Sequence, residues 1–474
     1  MTTINIESPT GGSHVVGSDA AVHVRLRDGM SAEAADTRLR LTHEGTTREV
    51  TVGMAVVAET LARLGEPCLS KDLLHSVVAN SGDAGLQAVA VFQVALRRLE
   101  MAGLLEHVVV LDGRVVARLG TDGGLPVQLT KAPSKGLKLA RLAVLRVLDD
   151  GWVRAEGGRS HLVVHVHRDH VPALMDGFAD DRDQLDACLA DLLWSASLLD
   201  ERDAEEAPES RMWSPAELWM HRQFHDGRGV AAYGGTYPLE DVEPEPFDTF
   251  DGELGEEIPL PPVDLHVRGL SEMSLAEAIE QRRSVREFSA ERAPTLAMLS
   301  ELLFRTMRAR GVRSGEKGLD VVDRPYPSGG AIHEINTYVV VTRCDELAPG
   351  LWRYQARKHA LARVEASDDV VATIAADAGR VAGGEPAPVT VLLTARFSRI
   401  MWKYQTVAYP LALKHVGVVT QNMYLVASAM GLGVCALGGG SGGLFNEATK
   451  IDPLIEGQVG ALVVGIPGDE EQRS

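Results

Sequence analysis

Cysteine is scarce. The four residues Cys68, Cys188, Cys344 and Cys435 are far apart and fit no CxxC or zinc spacing, so neither a disulfide framework nor a zinc module organises this chain. Reduced, buried thiols and a cytoplasmic location are the expectation. No uncharged apolar run reaches about 18 residues, which argues against a membrane span. The first residues, Met1 to Glu7, have neither a basic n-region nor an apolar h-region and do not read as a secretory signal. Basic residues are also short: 47 Lys and Arg stand against 66 Asp and Glu, a net charge of −19. Such a surface repels nucleic acid.

What is present is globular in balance, 45% hydrophobic and 24% charged over 474 residues, enough for two to four domains. The acidity is local. Residues 151–263 hold 25 acids and 8 bases, whereas 1–150 hold 17 and 16 and 264–474 hold 24 and 23. The middle block is either a solubility feature or a docking face for a partner.

Residues 20–52 contain two alternating runs, Ala21–Leu26 and Arg38–Leu41, that read as strands. Helical patterns follow over Met54–Leu64, from Ser70 (a candidate N-cap) and over Leu86–Leu99. A hairpin is expected from 107–111 and 114–118 around Asp112-Gly113. Three helices and a hairpin make a winged-helix rhythm. Residues 137–200 repeat it loosely, with a helix over Leu137–Asp149, a strand over Ser160–Val166 and a helix over Gln184–Leu199. No basic recognition helix is evident, so a peptide-binding or structural role is favoured over DNA. The proline- and acid-rich stretch 240–263 reads as an extended, solvated linker. Beyond it, Ser274-Leu275-Ala276-Glu277 is a capping box, Thr295 caps a second helix, and 411–430 is a long apolar helix. Strands are expected near 337–341, 351–354, 359–361, 389–393, 434–437 and 459–464. The expected fold class is α+β. The expected boundaries are a β element with a winged-helix-like module (1–125), a second, acidic winged-helix-like module (126–239), a linker (240–270) and a catalytic domain (271–474).

Four motifs carry chemistry. Arg282-Arg283-Ser284-Val285-Arg286 offers guanidinium forks and a hydroxyl that suit a phosphate; alone, it is as readily a basic surface turn. Pro325-Tyr326-Pro327-Ser328-Gly329-Gly330 lets backbone approach a flat ligand, or is an ordinary loop. In Trp402-Lys403-Tyr404-Gln405, Lys403 and Tyr404 are candidate acid–base groups. Adjacent helical residues diverge by about 100°, so the two share a site only at a helix end or irregular turn; alone, the motif reads better as a surface Lys beside a packing Tyr. Gly438-Gly439-Gly440-Ser441-Gly442-Gly443 lacks the Lys-Ser/Thr of a Walker loop. Separately, His165-Val166-His167-Arg168-Asp169-His170 matches a short zinc expression. The room and the further ligands of a metallo-β-lactamase fold are lacking, so a strand end is the better reading and no metal is expected.

The order of these motifs, with Gly350-Leu351-Trp352-Arg353-Tyr354 and a long helix ending Ala429-Met430-Gly431-Leu432-Gly433, resembles the nitroreductase superfamily. More narrowly, it resembles the FMN-dependent azoline dehydrogenases of ribosomal-peptide biosynthesis, over roughly 271–468 and weakly through 219–225 and 234–238. The resemblance implies a C-terminal nitroreductase-like FMN domain preceded by the tandem winged-helix-like modules. It implies that Arg282, Arg283, Ser284 and Arg286 hold the FMN phosphate and ribityl chain. Pro327, Ser328 and Gly329 would pack on the flavin of a homodimer partner, Gly438 and Gly439 would approach the ring by backbone, and Gln421 and Asn422 would reach its polar atoms. Where relatives often carry a base near the phosphate, this chain has Asp469-Glu470-Glu471, so either Arg473 substitutes or the arginines at 282–286 suffice. The implied reaction turns thiazolines or oxazolines of a precursor peptide into azoles, with Tyr404 as base and Lys403 lowering its pKa or stabilising developing charge. A cyclodehydratase is the implied partner of the acidic block. The competing readings are a general NAD(P)H-dependent nitro or quinone reductase and a flavin-free scaffold subunit.

Overall fold

The computed structural model describes residues 20–468 except 122–124, 206, 226–233, 269–271 and 441, and excepting the side chains of 223 and 225. Arg473, Asp469-Glu470-Glu471 and Ser441 therefore lie outside the described residues. The chain forms two compact units, Met1–Ala232 and Tyr233–Ser474.

The first unit opens with β1 (Ala21–Leu26), β2 (Met30–Ala35), β3 (Arg38–His43) and β4 (Thr46–Thr51). Then come α1 (Ala55–Ala62), α2 (Ser70–Asn80), α3 (Gly85–Met101) and the hairpin β5 (Leu105–Leu111) and β6 (Arg114–Gly120). The expected helices and hairpin are present. The sequence reading missed β2 and β4, neither of which has a fully buried residue and which flank β3 in the three-stranded sheet β2-β3-β4. Ser70 is not a cap: Leu69 occupies the N-cap position and the serine lies inside the first turn.

The second half of this unit differs more. Strands β7 (Leu137–Leu139) and β8 (Ala143–Val147) stand where a helix over Leu137–Asp149 was expected. Apolar residues there fit both periods. The tie is broken by the turn at Gly151 (φ 85°), which lets β8 fold back on β9 (Trp152–Gly157). Next are β10 (Val163–His167), α4 (Val171–Asp176), α5 (Gln184–Ser195), β11 (Leu199–Glu201), α6 (Pro208–Met212) and α7 (Pro215–His225). One sheet, ordered β1-β5-β6-β10-β9-β8, runs through both halves, with β6 paired to β10. The two expected modules thus share a sheet.

The second unit contains β12 (Leu254–Pro259), α8 (Leu265–Arg268), α9 (Leu275–Gln281), α10 (Leu296–Met307) and the hairpin β13 (Gly311–Ser314) and β14 (Asp320–Asp323). It continues with β15 (Ile335–Val341), β16 (Gly350–Gln355), β17 (Ala360–Val364), α11 (Asp368–Ala382), β18 (Val389–Arg396), α12 (Phe397–Lys403) and α13 (Ala408–Ala429). β19 (Gly433–Leu437), α14 (Gly442–Thr449) and β20 (Glu456–Gly465) complete it. The Ser274 capping box and the Thr295 cap form as expected.

The seven-stranded sheet β12-β17-β16-β15-β18-β20-β19 is covered on both faces. Val339, Val391, Leu393 and Leu462 pack with α10 and α13, while Tyr338, Val340, Leu392 and Ala461 pack with α11 and α14. Strand period two divides these apolar runs between the layers. Burying each such side chain contributes about 1.5–3 kcal/mol.

The stretch expected as a solvated linker is built into this unit. β12 extends the sheet edge against β17, Phe247 is buried, and the Trp402 indole N–H donates to the Val242 carbonyl at 2.8 Å. Arg396, 2% exposed, binds Glu245 at 2.5 Å, Asp251 at 2.5 Å and the fully buried Glu456 at 3.3 Å. Arg353 binds Asp248 at 2.7 Å. Composition misled because the acids of this stretch have partners some 100 or more residues away in sequence. Part of the acidic block is therefore internal charge pairing and not a free docking face.

Arg396→Met strands Glu456 as an uncompensated buried charge. We expect a loss of about 3–5 kcal/mol in urea unfolding of the second unit. Glu245→Gln, at the more exposed end of the same network, should cost clearly less.

Candidate active site

Helix α12 lasts two turns, and its end is what allows Lys403 and Tyr404 to share one surface. Lys403 is the last helical residue. Tyr404 is extended (φ −115°, ψ 142°), and its N–H closes the helix on Ile400 O. Trp402 points inward and is 2% exposed. A β-carbon at Gly330 would lie 2.9 Å from Tyr404 Oη and 3.4 Å from Lys403 Nζ, and Gly330 has φ 63°. Only glycine satisfies both the backbone and the close approach. The Ser-Gly-Gly loop and the Lys-Tyr pair therefore meet within one chain.

A third segment joins them. The Thr236 and Tyr237 N–H groups both donate to Lys403 O at 3.0 Å. The Lys403 ammonium stands 5.4 Å from the centre of the Tyr237 ring and 3.9 Å from the Glu316 carboxylate, to which the Tyr237 hydroxyl donates. Burial, and then the Glu334 charge, push the Tyr404 phenol above its usual pKa. This corrects the expectation that Lys403 lowers it. The ammonium is 5.8 Å from the centre of the Tyr404 ring and is drawn toward Glu316 and Tyr237.

Behind the loop lies a buried relay. His415 Nε2 accepts from the Gly329 N–H at 2.8 Å, so the ring proton must be on Nδ1, which donates to Glu334 Oε1 at 2.6 Å. Ser328 Oγ donates to the other Glu334 oxygen at 3.3 Å and accepts from the His333 N–H at 3.0 Å. Glu334 is 0% exposed and His415 6%. Burial, with cationic neighbours led by Arg324, lowers the His333 pKa to about 3 and keeps that ring neutral. Leu411, His415 and Asn422 fall within about 40° of one another on α13. Each meets the 325–330 loop, Asn422 by donating to Pro325 O at 3.1 Å and Leu411 by packing against Gly329. Pro327 is exposed at the loop surface.

The opposite face of α13 carries Tyr424. Its hydroxyl accepts from the Ala436 N–H at 2.8 Å and shares a hydrogen bond with Ser284 Oγ at 2.9 Å, and its ring lies 5.4 Å beneath the Arg282 guanidinium. Val285 pairs with Val434 and fills the space that Gly433 leaves open. Gly431 (φ 72°) ends the helix, which explains the Met-Gly-Leu-Gly sequence. Gly438 and Gly439 follow β19 at the surface, and a β-carbon there would touch nothing. Arg283 is half-buried and Gln421 exposed. Arg286 borders a cleft of about 710 Å³ with Arg343 and Gly383–Glu385, so the structure does not gather all three arginines on Tyr424.

The donor set at Tyr424 fits an FMN phosphate. A guanidinium sits on an aromatic face, a serine hydroxyl is held by the tyrosine, and bare glycine backbone follows nearby. The Tyr424 cluster and the His415 relay are nine residues apart on α13, roughly 13 Å along its axis. Reading the sequence alone missed Tyr237, Glu316, Glu334, His415 and Tyr424. Tyr237 lies in the stretch 234–238 of the weak resemblance but was given no role there; for His415 the signal was the helical spacing of 411, 415 and 422, which does not say what that face meets.

Residues 279–466 match the nitroreductase family model. A putative nitroreductase of Methanocaldococcus jannaschii is 30% identical over 203 residues, covering 98% of that protein and 42% of this chain. The chain belongs to the nitroreductase family. The trifolitoxin-processing protein TfxB of Rhizobium leguminosarum bv. trifolii is 30% identical over 145 residues, which is 29% of this chain and 38% of that protein. The chain thus spans well under half of TfxB. A chain of the E. coli microcin synthetase McbBCD complex aligns at 17% identity over 57% of this chain and 100% of its own length, with a TM-score of 0.34. Among the described residues no helix is long and apolar enough to cross a membrane, and no cluster of three metal-ligating side chains occurs.

His415→Phe removes the acceptor for Gly329 and leaves the buried Glu334 without its main donor. We expect about 2–3 kcal/mol of destabilisation and faster hydrogen exchange at the Gly329 amide. Glu334→Gln, which keeps the shape, should lose less. Unchanged exchange at Gly329 in His415→Phe would show that the relay does not hold the loop.

Proposed function

We propose that this nitroreductase-family chain oxidises thiazoline or oxazoline rings in a ribosomally made precursor peptide to thiazoles or oxazoles, as a homodimer with FMN at the interface. The observation that carries the reading is the meeting of Lys403 and Tyr404 with the Ser-Gly-Gly loop, because a family fold that only shuttles electrons needs no pair of proton-handling groups there. The relative named for trifolitoxin processing supports a peptide context. The M. jannaschii relative accounts for only 42% of this chain, which leaves the first unit for a task beyond electron transfer, such as gripping a peptide or a cyclodehydratase.

Bound FMN would supply the acceptor for a hydride from one ring carbon. The chain's own residues handle the proton on the neighbouring carbon. Tyr404 takes it, and Lys403 stabilises the enolate-like charge that develops as it leaves. Arg282 and Ser284 would hold the FMN phosphate, with Arg283 and Arg286 as further cations; Gly438 and Gly439 would present backbone to the ring, with Gln421 and Asn422 beside it. In the dimer, Pro327, Ser328 and Gly329 would face the flavin of the other subunit, held there by His415 and Glu334.

With its pKa raised, fewer than about one Tyr404 in a thousand is phenolate at pH 7. Oxidation should therefore quicken as pH rises toward the alkaline range, up to about tenfold per unit, and Tyr404→Phe should abolish that dependence. Lys403→Ala and Tyr404→Phe should each retain bound flavin yet lower the rate by about 100-fold or more. The readout is the mass of two hydrogens lost per ring of an azoline peptide. Normal rates in both variants would sink the assignment. Rapid NAD(P)H-driven quinone reduction without azoline turnover would favour the general reductase, and purified protein without visible flavin absorbance the scaffold.

A further inference from the structure

Lys403 has two directions open to its ammonium, and the surrounding segments choose between them. Its stem lies along Gly235, where a β-carbon would come 3.0 Å from Lys403 Cε. From there the ammonium can turn to the Tyr404 phenol or to the groups of two neighbouring segments. It takes the second course: Nζ stands 5.4 Å from the centre of the Tyr237 ring and 3.9 Å from Glu316 Oε2. The Tyr404 phenol is not relieved by it, since burial and then the Glu334 charge still raise its pKa.

The two partners of the ammonium are themselves fixed. Tyr237 stands edge-on to Trp402, with ring centres 5.5 Å apart, and packs with Tyr404 against the buried cluster of Leu319, Ile332 and Trp402. Its hydroxyl donates to Glu316. Glu316 lies at the tip of the β13–β14 hairpin, where Lys317 (φ 53°) and Gly318 (φ 82°) turn the chain. Lys317 pairs with Glu240 and stands 4.4 Å from the centre of the same Tyr237 ring. An aromatic face beside two ammoniums, with a carboxylate that accepts from the same tyrosine, makes a seat for a cation. The Glu316 side chain is 65% exposed, so as an ion pair alone it would contribute little. What the Tyr237 hydroxyl gives it is a fixed direction.

We propose that Tyr237 and Glu316 are positioning residues that hold the Lys403 ammonium away from the Tyr404 hydroxyl, ready to meet negative charge on a bound substrate. The proposal rests on the azoline reading for its chemical purpose. An ammonium paired with a phenolate base is less available to the charge that the base creates. Held apart, Lys403 leaves the phenol a weak acid, hence a strong base once ionised, and keeps its own charge for the substrate. The geometry stands without that reading.

The test places a difluorotyrosine at position 404 of the full-length protein. Its fluorines bring the phenol into a workable pH range and report its ionisation by fluorine NMR, with no substrate present. Glu316→Gln should lower the midpoint by about one pH unit, because the released ammonium turns to the phenol. Tyr237→Phe, which keeps the ring and loses the hydroxyl, should act in the same direction by less, and Glu316→Asp should restore most of the original value. In a Lys403→Met background, Glu316→Gln should move the midpoint far less. A midpoint that Glu316→Gln leaves in place, or moves equally with and without Lys403, would overturn the proposal. Turnover of an azoline peptide is measured beside it: Glu316→Gln should lower kcat about tenfold with KM little changed, and bring the alkaline rise in rate to lower pH. A normal kcat in that variant would also overturn the positioning role. If the midpoint shifts as expected while the unaltered protein leaves azolines untouched, the positioning stands and the azoline reading falls. If the unaltered protein turns azolines over and the midpoint does not shift, the reverse holds.

Discussion

Glu334 is a carboxylate with no exposed surface at the head of the central strand, and a charge so placed must be given donors. His415 and Ser328 are those donors. The histidine can serve only in one tautomer, and that tautomer leaves Nε2 to fix the Gly329 amide. One buried charge therefore determines where α13 lies against the sheet and what shape the Ser-Gly-Gly loop takes. It also adds to the shift that keeps Tyr404 protonated. The candidate site is the exposed side of an arrangement whose constraints are internal.

A second buried carboxylate does similar work at the same end of the sheet, on the other side of Arg396 at the C-terminus of β18. Glu456 accepts from Tyr338 at 3.0 Å, from Thr394 at 2.5 Å and from Arg396 at 3.3 Å. Arg396 then reaches Glu245 and Asp251, drawing the acidic segment onto the unit. Burial alone would lower the pKa of that guanidinium. Its carboxylate partners more than offset the loss and raise it, so the charge persists. The same segment delivers Tyr237 to Lys403 and Val242 to Trp402. What composition presents as a tether is a wall of the site.

The shared sheet of the first unit separates an apolar layer from a charged one by strand alternation alone. Val164, Val166, Ala117 and Ala155 enter the core, while on the alternate positions Arg118 lies opposite His165 and His165 opposite Arg154.

The sequence alone determined the α+β class, the capped helices at Ser274 and Thr295 and the strands of the second unit from β15 to β20; for Lys403 and Tyr404 it set only the condition under which they could share a site. These follow from local periodicity and capping, which act over a few residues. Tertiary structure alone decided that 137–139 and 143–147 are strands, because their partners β11 and β9 lie further along the chain. It also decided that 240–263 is built in, because its acids find Arg353 and Arg396 more than 100 residues away. The roles of Glu334, His415 and Tyr424 belong to the same class. A histidine in an apolar helix is indistinguishable in sequence from a packed one until the buried carboxylate it must satisfy is brought beside it.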